Sequence, residues 1–404
     1  MSTATSVRGI GRQLDNPADL GGAVDELLAA RSEPPILLGL GEPTHGIVAF
    51  PLLRNELLIQ LVERGYRSIV LEIDFFAASV VDDYVCGATA EIDAVLATGF
   101  SHGFGAVPGN RELVQWLRAH NAGRAPDDRV RCYGFDAPTE YAGAPSPRRA
   151  LGAVIDYLPE ALRPASARDL DALLGDESEW LNPAAMYDAA ASIGDSERVR
   201  ALRVIADDLA SALHRAAPGL HAADPTGYFL AAAHARAALG LLRYHVAMAD
   251  PAAERIGTLV SVRAEIMADN LLAIVAREQP RGPVLVFAHN AHLQRAQSHS
   301  PVVGAATWAN TGALIGLALG ELYAFIASDA NPKSESGTLQ YQLAAATDRR
   351  ALFPAPALRA ALEPSTRAGE PIVPGHIPLA PSDLDGADAV VFIADTDGVR
   401  VQYW

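Results

Sequence analysis

The hydrophobic residues of this chain fall into short continuous runs, each bounded by glycine, proline or charged residues. Continuous hydrophobicity, rather than alternation, is typical of strands in a parallel sheet that is covered on both faces. We therefore predict a buried sheet. Its strands would be Ile36–Leu40, Ser68–Ile73, Val130–Phe135, Val284–Ala288, Leu322–Ala327 and Ala389–Ala394.

Segments with a helical spacing of apolar residues lie between these runs. Leu52–Arg64, Arg111–His120 and Thr258–Arg277 are three of them. Since strands and helices alternate, the chain is predicted to have an α/β fold with a central, mostly parallel sheet flanked by helices.

Two long segments break this alternation. Residues 147–250 have long Ala, Leu and Arg stretches with helical spacing and no strand pattern. We interpret them as a helical insertion, or lid, over the cleft of a catalytic core made of residues 1–146 and 251–404. Residues 329–385 are rich in Pro, Ser and Gly, which predicts mainly loop. Two short helices are expected within this loop, near Gln340–Ala346 and Pro356–Leu362.

The charge balance narrows the classes of partner. The chain of 404 residues has 32 Lys and Arg against 48 Asp and Glu, which gives a formal net charge of −16. Binding to a phosphate backbone depends on clustered basic residues, so neither nucleic acid nor a membrane surface is an expected partner. With half of its residues hydrophobic, the chain can bury a large core.

The cysteines and the first residues of the sequence predict a cytoplasmic protein. Cys86 and Cys132 do not form a C-x-x-C pair, and both are expected to be reduced thiols. Residues 1–20 lack the continuous apolar segment that a signal peptide requires.

Ionisable residues stand where the predicted strands end. Ligands of open parallel sheets bind outside the carboxyl ends of the strands, so these side chains are expected to converge on one crevice. The residues are Glu42, His45, Glu72, Asp74, Asp136, His289 and His292.

Some of these residues also have a purely structural interpretation. Asp74 and Asp136 could each be a helix N-cap or an ion-pair partner. The Glu-x-x-His and His-x-x-His motifs are harder to explain in this way, because burying such groups beside apolar strands costs several kcal/mol unless they pair.

Two chemistries would use such a cluster. In one, a histidine made basic by a carboxylate removes a proton from water, which attacks an ester carbonyl. In the other, the same side chains bind a divalent metal that acidifies the water. The spacing leaves both open, although H-E-x-x-H is absent and we predict no metal or other cofactor.

Three motifs of other enzyme classes are absent from the sequence. It has no G-x-S-x-G nucleophile elbow, because its one G-x-S-x-G stretch, Gly99–Gly103, follows no predicted strand; it also has no phosphate-binding loop ending in Lys-Ser/Thr and no G-x-G-x-x-G after a strand. These absences disfavour serine hydrolases of the α/β-hydrolase type, P-loop NTPases and dinucleotide-binding enzymes.

Several spaced motifs together resemble the erythromycin esterase family. They are Gly41–Gly46, Leu71–Glu72 and Ala288–His292, with Arg54 placed between the first two. The resemblance implies a sheet flanked by helices, a helical portion over the cleft, and hydrolysis of a macrolide lactone without a covalent serine intermediate. It also implies a small hydrophobic substrate and a link to antibiotic resistance or biosynthesis.

The resemblance implies roles for individual residues as well. His45 would be the general base that activates water, with Glu42 or Glu72 orienting it, and His289 would belong to the same catalytic set. The residues that would bind or position the substrate are Arg54, His102, His292, Asp74 and Asp136.

The sequence departs from the family's pattern around the expected cleft. Phe104–Gly109 stands where an aromatic residue, usually Trp, would precede an Asn-x-Glu-like stretch, and Arg263 is followed by Ala264 rather than by an acid. His102 is an additional histidine that could equally be an ordinary loop residue.

Two alternatives to hydrolysis remain open. The same groups in a water-poor pocket could cyclise or dehydrate a polyketide in a biosynthetic pathway. A binding protein that sequesters a hydrophobic metabolite is the third hypothesis.

Overall fold

The computed structural model describes residues 7–139, 143–252, 254–299, 307–396 and 398–403. The chain divides into two compact units. One comprises Met1–Phe135 and Leu271–Trp404, and the other comprises Asp136–Asn270. The lid function predicted for residues 147–250 stays a prediction.

The first unit contains an eight-stranded sheet and a separate two-stranded hairpin. The strands are β1 (Arg12–Gln13), β2 (Leu37–Glu42), β3 (Ser68–Asp74), β4 (Arg131–Asp136), β5 (Val284–His289), β6 (Ser298–His299), β7 (Thr307–Trp308), β8 (Tyr323–Ala330), β9 (Arg350–Pro354) and β10 (Ala389–Ile393). The sheet order is β1-β9-β10-β8-β2-β5-β3-β4, and β6 pairs with β7.

Most of this sheet is parallel. β10 pairs with β8, β8 with β2, β2 with β5 and β5 with β3, all in parallel. β9 is antiparallel to both β1 and β10. The predicted α/β fold with a mostly parallel central sheet is therefore confirmed, and all six predicted strands are present.

Helices flank the sheet and make up the second unit. They are α1 (Pro17–Ala29), α2 (Ala49–Glu63), α3 (Ala78–Val85), α4 (Ile92–Gly99), α5 (Asn110–Asn121), α6 (Arg148–Tyr157), α7 (Leu170–Leu174), α8 (Glu177–Trp180), α9 (Glu197–Arg215), α10 (Ala217–Ala223), α11 (Pro225–Met248), α12 (Arg255–Glu278), α13 (Asn290–Leu293), α14 (Thr311–Leu319), α15 (Leu339–Ala344) and α16 (Ala355–Ala361). Residues 147–250 contain no strand, as predicted.

One strand lies where the sequence predicted mainly loop. Residues 329–385 do contain the two expected short helices, α15 and α16, but they also contain β9. Only Ala351, Leu352 and Phe353 of β9 are buried, and the strand is fixed by its antiparallel pairing with β10. The prediction was wrong here because so short an apolar stretch, ending in proline, carries little strand signal.

Burial of the strands explains why they are continuous apolar runs in the sequence. Every residue of β2, β5 and β10 is buried, as both faces of the sheet are covered. The register sets Glu42, the last residue of β2, directly beside His289, the last residue of β5. Two of the predicted motifs are thus brought to one edge of the sheet by strand pairing alone.

Candidate active site

A carboxylate and an imidazole pair at the end of β2. Glu42 is the last residue of the strand, and His45 follows in the turn before α2. His45 Nδ1 lies 2.8 Å from Glu42 Oε1, which is hydrogen-bonding distance. The Glu42 carboxyl group is buried, and this desolvation raises its pKa, although the hydrogen bond with His45 opposes the shift.

A second carboxylate, on β3, faces the other side of His45. Glu72 Oε1 lies 3.7 Å from His45 Nε2 and 3.2 Å from His292 Nε2. Its other oxygen, Oε2, accepts the backbone N–H of His289 at 2.8 Å. His45 is therefore held between two buried carboxylates, one on each ring nitrogen.

Both ring nitrogens of His289 form hydrogen bonds with backbone atoms. Nε2 donates to the Pro43 carbonyl at 3.0 Å, and Nδ1 accepts the N–H of Ala291 at 3.1 Å. Burial lowers the pKa of His289 to about 3, and His45 adds to the shift. A neutral His289 therefore links the end of β5 to Pro43, which lies in the turn between Glu42 and His45.

This burial predicts a pH dependence of stability. The pKa of His289 falls from an ordinary 6.5 to about 3 in the folded chain. Between these values the unfolded chain binds a proton that the folded chain does not, so stability is lost as the pH falls, by up to about 1.4 kcal/mol per pH unit. His289→Gln retains a donor for Pro43 and cannot titrate, so its stability should depend less on pH.

Urea unfolding from neutral pH down to about pH 4 measures this difference. His221→Gln is the matched control, because His221 is exposed and should keep the wild-type slope. The same slope in His289→Gln as in the wild-type protein would contradict the role assigned to burial.

Arg54 places a buried positive charge in the same region. Its guanidinium donates to Asn110 Oδ1 at 2.8 Å and to the Gly109 carbonyl at 3.1 Å, and it lies 5.0 Å from the centre of the Phe287 ring. Burial lowers the pKa of Arg54 to about 10, so the group is still charged at neutral pH. Its hydrogen-bond acceptors in the fold are neutral, and its charge interacts with the nearby carboxylate of Glu42.

Several of these residues line a small, mainly apolar cavity of about 30 Å³. Ligand sites typically combine such an apolar lining with a few convergent polar groups. Besides Arg54 and Asn110, the polar lining side chains are Glu42, His45 and Glu72; the apolar lining residues include Leu71, Ile73, Phe100, Phe104, Val107 and Phe287.

Two buried polar atoms of the cluster have no hydrogen-bond partner among the described residues. They are Oε2 of Glu42 and Nδ1 of His292. Buried polar atoms in native proteins are nearly always bonded, to protein or to a bound molecule. Both atoms can therefore bond to a substrate or to water.

Gly41 and the side-chain amide of Asn290 stabilise the strands that carry the site. A Cβ atom on Gly41 would lie 2.0 Å from Oδ1 of Asn290, so only glycine fits at this position. The Asn290 side chain bonds the backbone of Ser328 in both directions, which links β5 to β8. Gly41 and Asn290 belong to the stretches Gly41–Gly46 and Ala288–His292, but their partner Ser328 lies far away in the chain.

The other predicted site residues lie outside this cluster. Asp74 Oδ1 accepts the backbone N–H groups of Phe76 and Ala77, as in a helix cap. Asp136 forms an ion pair with Arg263 within the second unit. Their substrate-binding roles stay predictions.

His102 lies on the short helical turn Ser101–Ala106 and is buried. Its backbone is left-handed, with φ of 58°, a conformation that costs a residue other than glycine about 1 kcal/mol or more. Its ring centre is 5.5 Å from that of Phe104. His102 therefore packs beside Phe104, which lines the cavity, and contact of His102 with substrate stays a prediction.

No group of three or more His, Cys, Asp or Glu side chains in the described part of the chain is arranged to hold a metal ion. Both cysteines are free, and Cys132 is buried. Within the described ranges, no helix combines the length and the apolar composition needed to cross a membrane.

The sequence model of one protein family, described as erythromycin esterase, matches residues 61–366 of the chain, which is more than half of its length. The Glu42 and His45 motif lies before this matched range. No curated protein matches the chain.

Three solved structures are similar to this chain. A protein from Bacillus cereus has a TM-score of 0.70 and 15% sequence identity, covering 96% of this chain and 95% of that one. A succinoglycan biosynthesis protein has a TM-score of 0.63 and 15% identity, with coverages of 97% and 96%. A histidine-to-asparagine mutant of the erythromycin esterase EreC, in its open conformation, has a TM-score of 0.67 and 19% identity, with coverages of 94% and 94%. At these identities the likeness shows a shared fold.

Proposed function

This chain belongs to the erythromycin esterase family, and on that premise we propose that it hydrolyses a carboxylic ester or a macrolide or polyketide lactone with histidine-activated water. Family membership supports a hydrolase of the erythromycin esterase type that acts on a small molecule. One observation carries the finer proposal: His45 lies between two buried carboxylates in an apolar cavity.

The hydrogen bond to Glu42 selects the form of His45 that can act as a base. When Nδ1 carries the proton and donates it to Glu42, Nε2 is left with its lone pair. A water molecule beside Nε2 can give it one proton and donate its other hydrogen to Glu72, whose Oε1 is 3.7 Å from Nε2. The resulting hydroxide attacks the ester carbonyl carbon, so no covalent serine intermediate is required.

The proton then returns to the leaving group. Collapse of the tetrahedral intermediate breaks the bond between the carbonyl carbon and the alkoxide oxygen, and protonated His45 donates its Nε2 proton to that oxygen. The products are an alcohol and a carboxylic acid, which releases its proton to solvent at neutral pH and becomes a carboxylate. Glu42 stabilises the imidazolium that forms between these two steps, since its carboxylate contacts Nδ1.

Arg54 supports the negative charge that develops on the carbonyl oxygen. It lines the same cavity, is buried, and is held in place by Asn110 and Gly109. A fixed cation in a water-poor site stabilises an oxyanion more strongly than water does.

Incubation with a macrolide lactone tests the class of reaction. Hydrolysis gives a product heavier than the substrate by one water, which mass spectrometry detects directly. A product that is isomeric with the substrate, or lighter by one water, would instead identify a biosynthetic cyclase or dehydratase. Tight binding without any product would identify a binding protein.

A further inference from the structure

A second cavity lies beside the first one. It encloses about 370 Å³ and is lined mainly by small and apolar residues. Its rim carries the ion pair between Asp93 and Arg111, in which the Asp93 side chain is largely exposed. The cavity is therefore open to a ligand from outside. Its lining includes Leu96, Ala97, Phe100, Gly103, Gly105 and Ala106.

One segment forms the partition between the two cavities. Phe100, Phe104 and Val107 line the first cavity, whereas Phe100 again, with Gly103 and Gly105, lines the second. The segment 100–107 thus faces both cavities and separates them. Phe100 is the residue of this segment that lines both.

Tyr403 also stands at this boundary. It lines the second cavity, and its ring centre is 5.2 Å from that of Phe104, which in turn is 4.8 Å from the ring of His45. Burial raises the pKa of the Tyr403 hydroxyl; the hydrogen bond and charge of Arg400 oppose this shift, and the carboxylates of Glu42 and Glu72 add to it. Tyr403 is therefore neutral and lies close to the catalytic cluster.

The fold holds Tyr403 in place through the residue next to His45. The N–H of Val401 donates to the Gly46 carbonyl at 2.9 Å, and Arg400 donates to the Tyr403 hydroxyl at 2.9 Å. Gly46 has φ of 87°, and a Cβ atom there would lie 3.0 Å from the Tyr403 ring. Glycine at this position thus serves both the turn and the close approach of the tyrosine.

We propose that the second cavity is the subsite for the non-reacting body of the substrate, and that Tyr403 is the positioning residue at its boundary with the reacting cavity. This inference rests on the proposed ester hydrolysis. The lining selects a bulky hydrophobic ester that carries hydroxyl groups. Carbon faces would pack on Leu96, Phe100 and the glycines, and hydroxyls would meet the Tyr403 phenol and the charged rim.

Equilibrium binding of erythromycin separates this subsite from catalysis. The parent protein for the titrations is His45→Ala, which should bind the lactone without consuming it. Ala97→Trp fills the second cavity from an exposed position of α4 and is expected to weaken binding about 10-fold or more. Ala94→Trp is its matched control, because Ala94 is exposed on the same helix and does not line the cavity.

Tyr403 is tested in the same titration. Tyr403→Ala should weaken binding about 10- to 100-fold. Tyr403→Phe should recover the part of the binding affinity that depends on packing of the aromatic ring. Tyr187→Ala, at an exposed tyrosine of the second unit, should bind like the parent. In the presence of His45, Ala97→Trp should raise KM for the lactone and leave kcat nearly unchanged.

Each outcome bears on one claim. Unchanged binding in both Ala97→Trp and Tyr403→Ala would overturn the subsite, as would failure of the parent to bind the lactone. Turnover is measured separately in the wild-type protein. Weakened binding in the variants without any hydrolysis by the wild type would refute the proposed reaction and leave the subsite supported.

Discussion

Replacing His45 with alanine is expected to lower kcat/KM for lactone hydrolysis by about 10²- to 10⁴-fold, the contribution of a positioned general base. The other two imidazoles of the cluster do not line the cavity that His45 lines. His289 also has both ring nitrogens on backbone groups, and His292 Nε2 lies against Glu72. Initial rates with a macrolide lactone measure the loss.

The fold should survive this change. The His45 side chain is partly exposed, so its truncation removes little buried apolar surface. His221→Ala, at an exposed histidine, is the matched control and should keep wild-type activity. A His45→Ala protein with an unchanged melting temperature and more than a tenth of wild-type activity would argue against the general base.

Replacing Glu42 with glutamine is expected to change activity and stability in opposite directions. The amide oxygen can still accept the proton of His45 Nδ1, but the negative charge that stabilises the imidazolium is lost. We expect kcat/KM to fall by about 10²- to 10⁴-fold. The imidazolium forms only during the reaction, so the loss should appear mainly in kcat.

Stability should rise in the same variant. Burial raises the pKa of Glu42, which means that its charged form is disfavoured in the folded chain relative to the unfolded one. At neutral pH the neutral glutamine removes this cost, and a gain in stability is expected. Chemical denaturation measures it, with Glu63→Gln on the exposed end of α2 as control. A clear loss of stability in Glu42→Gln would show that the carboxylate is bound more favourably in the fold than its burial suggests.

The sheet could be predicted because most of its strands are buried on both faces. The strands Val284–His289 and Ala389–Ile393 have no solvent-facing positions, so their hydrophobicity is nearly uninterrupted in the sequence. β9 could not be predicted in this way, as it depends on pairing with β10 rather than on its own composition.

The meeting of the polar residues could also be predicted, because strand order decides it. β2, β5 and β3 are neighbours, so Glu42, His289 and Glu72 end at one edge of the sheet. Asp136 shows the limit of this argument, since it also ends a strand but pairs with Arg263 in the second unit. A position at a strand end does not fix the direction of the side chain.

The detailed roles within the cluster depend on contacts that leave no pattern in the sequence. The partners of the His289 ring are backbone atoms, which every residue type offers. An isolated β-bridge between Ile47 and Arg400, which lie far apart in the chain, brings the segment that contains Tyr403 close to the site. Spacing alone therefore indicated a cluster but not the contacts of each histidine.

A single-turnover reaction in oxygen-18 water, followed by intact mass spectrometry of both protein and product, tests whether His45 delivers water directly to the ester. We expect the product carboxylate to carry one oxygen-18 atom and the protein mass to stay unchanged throughout the reaction. A protein that transiently gains the mass of the acyl group, or a product without the label, would contradict direct attack by activated water.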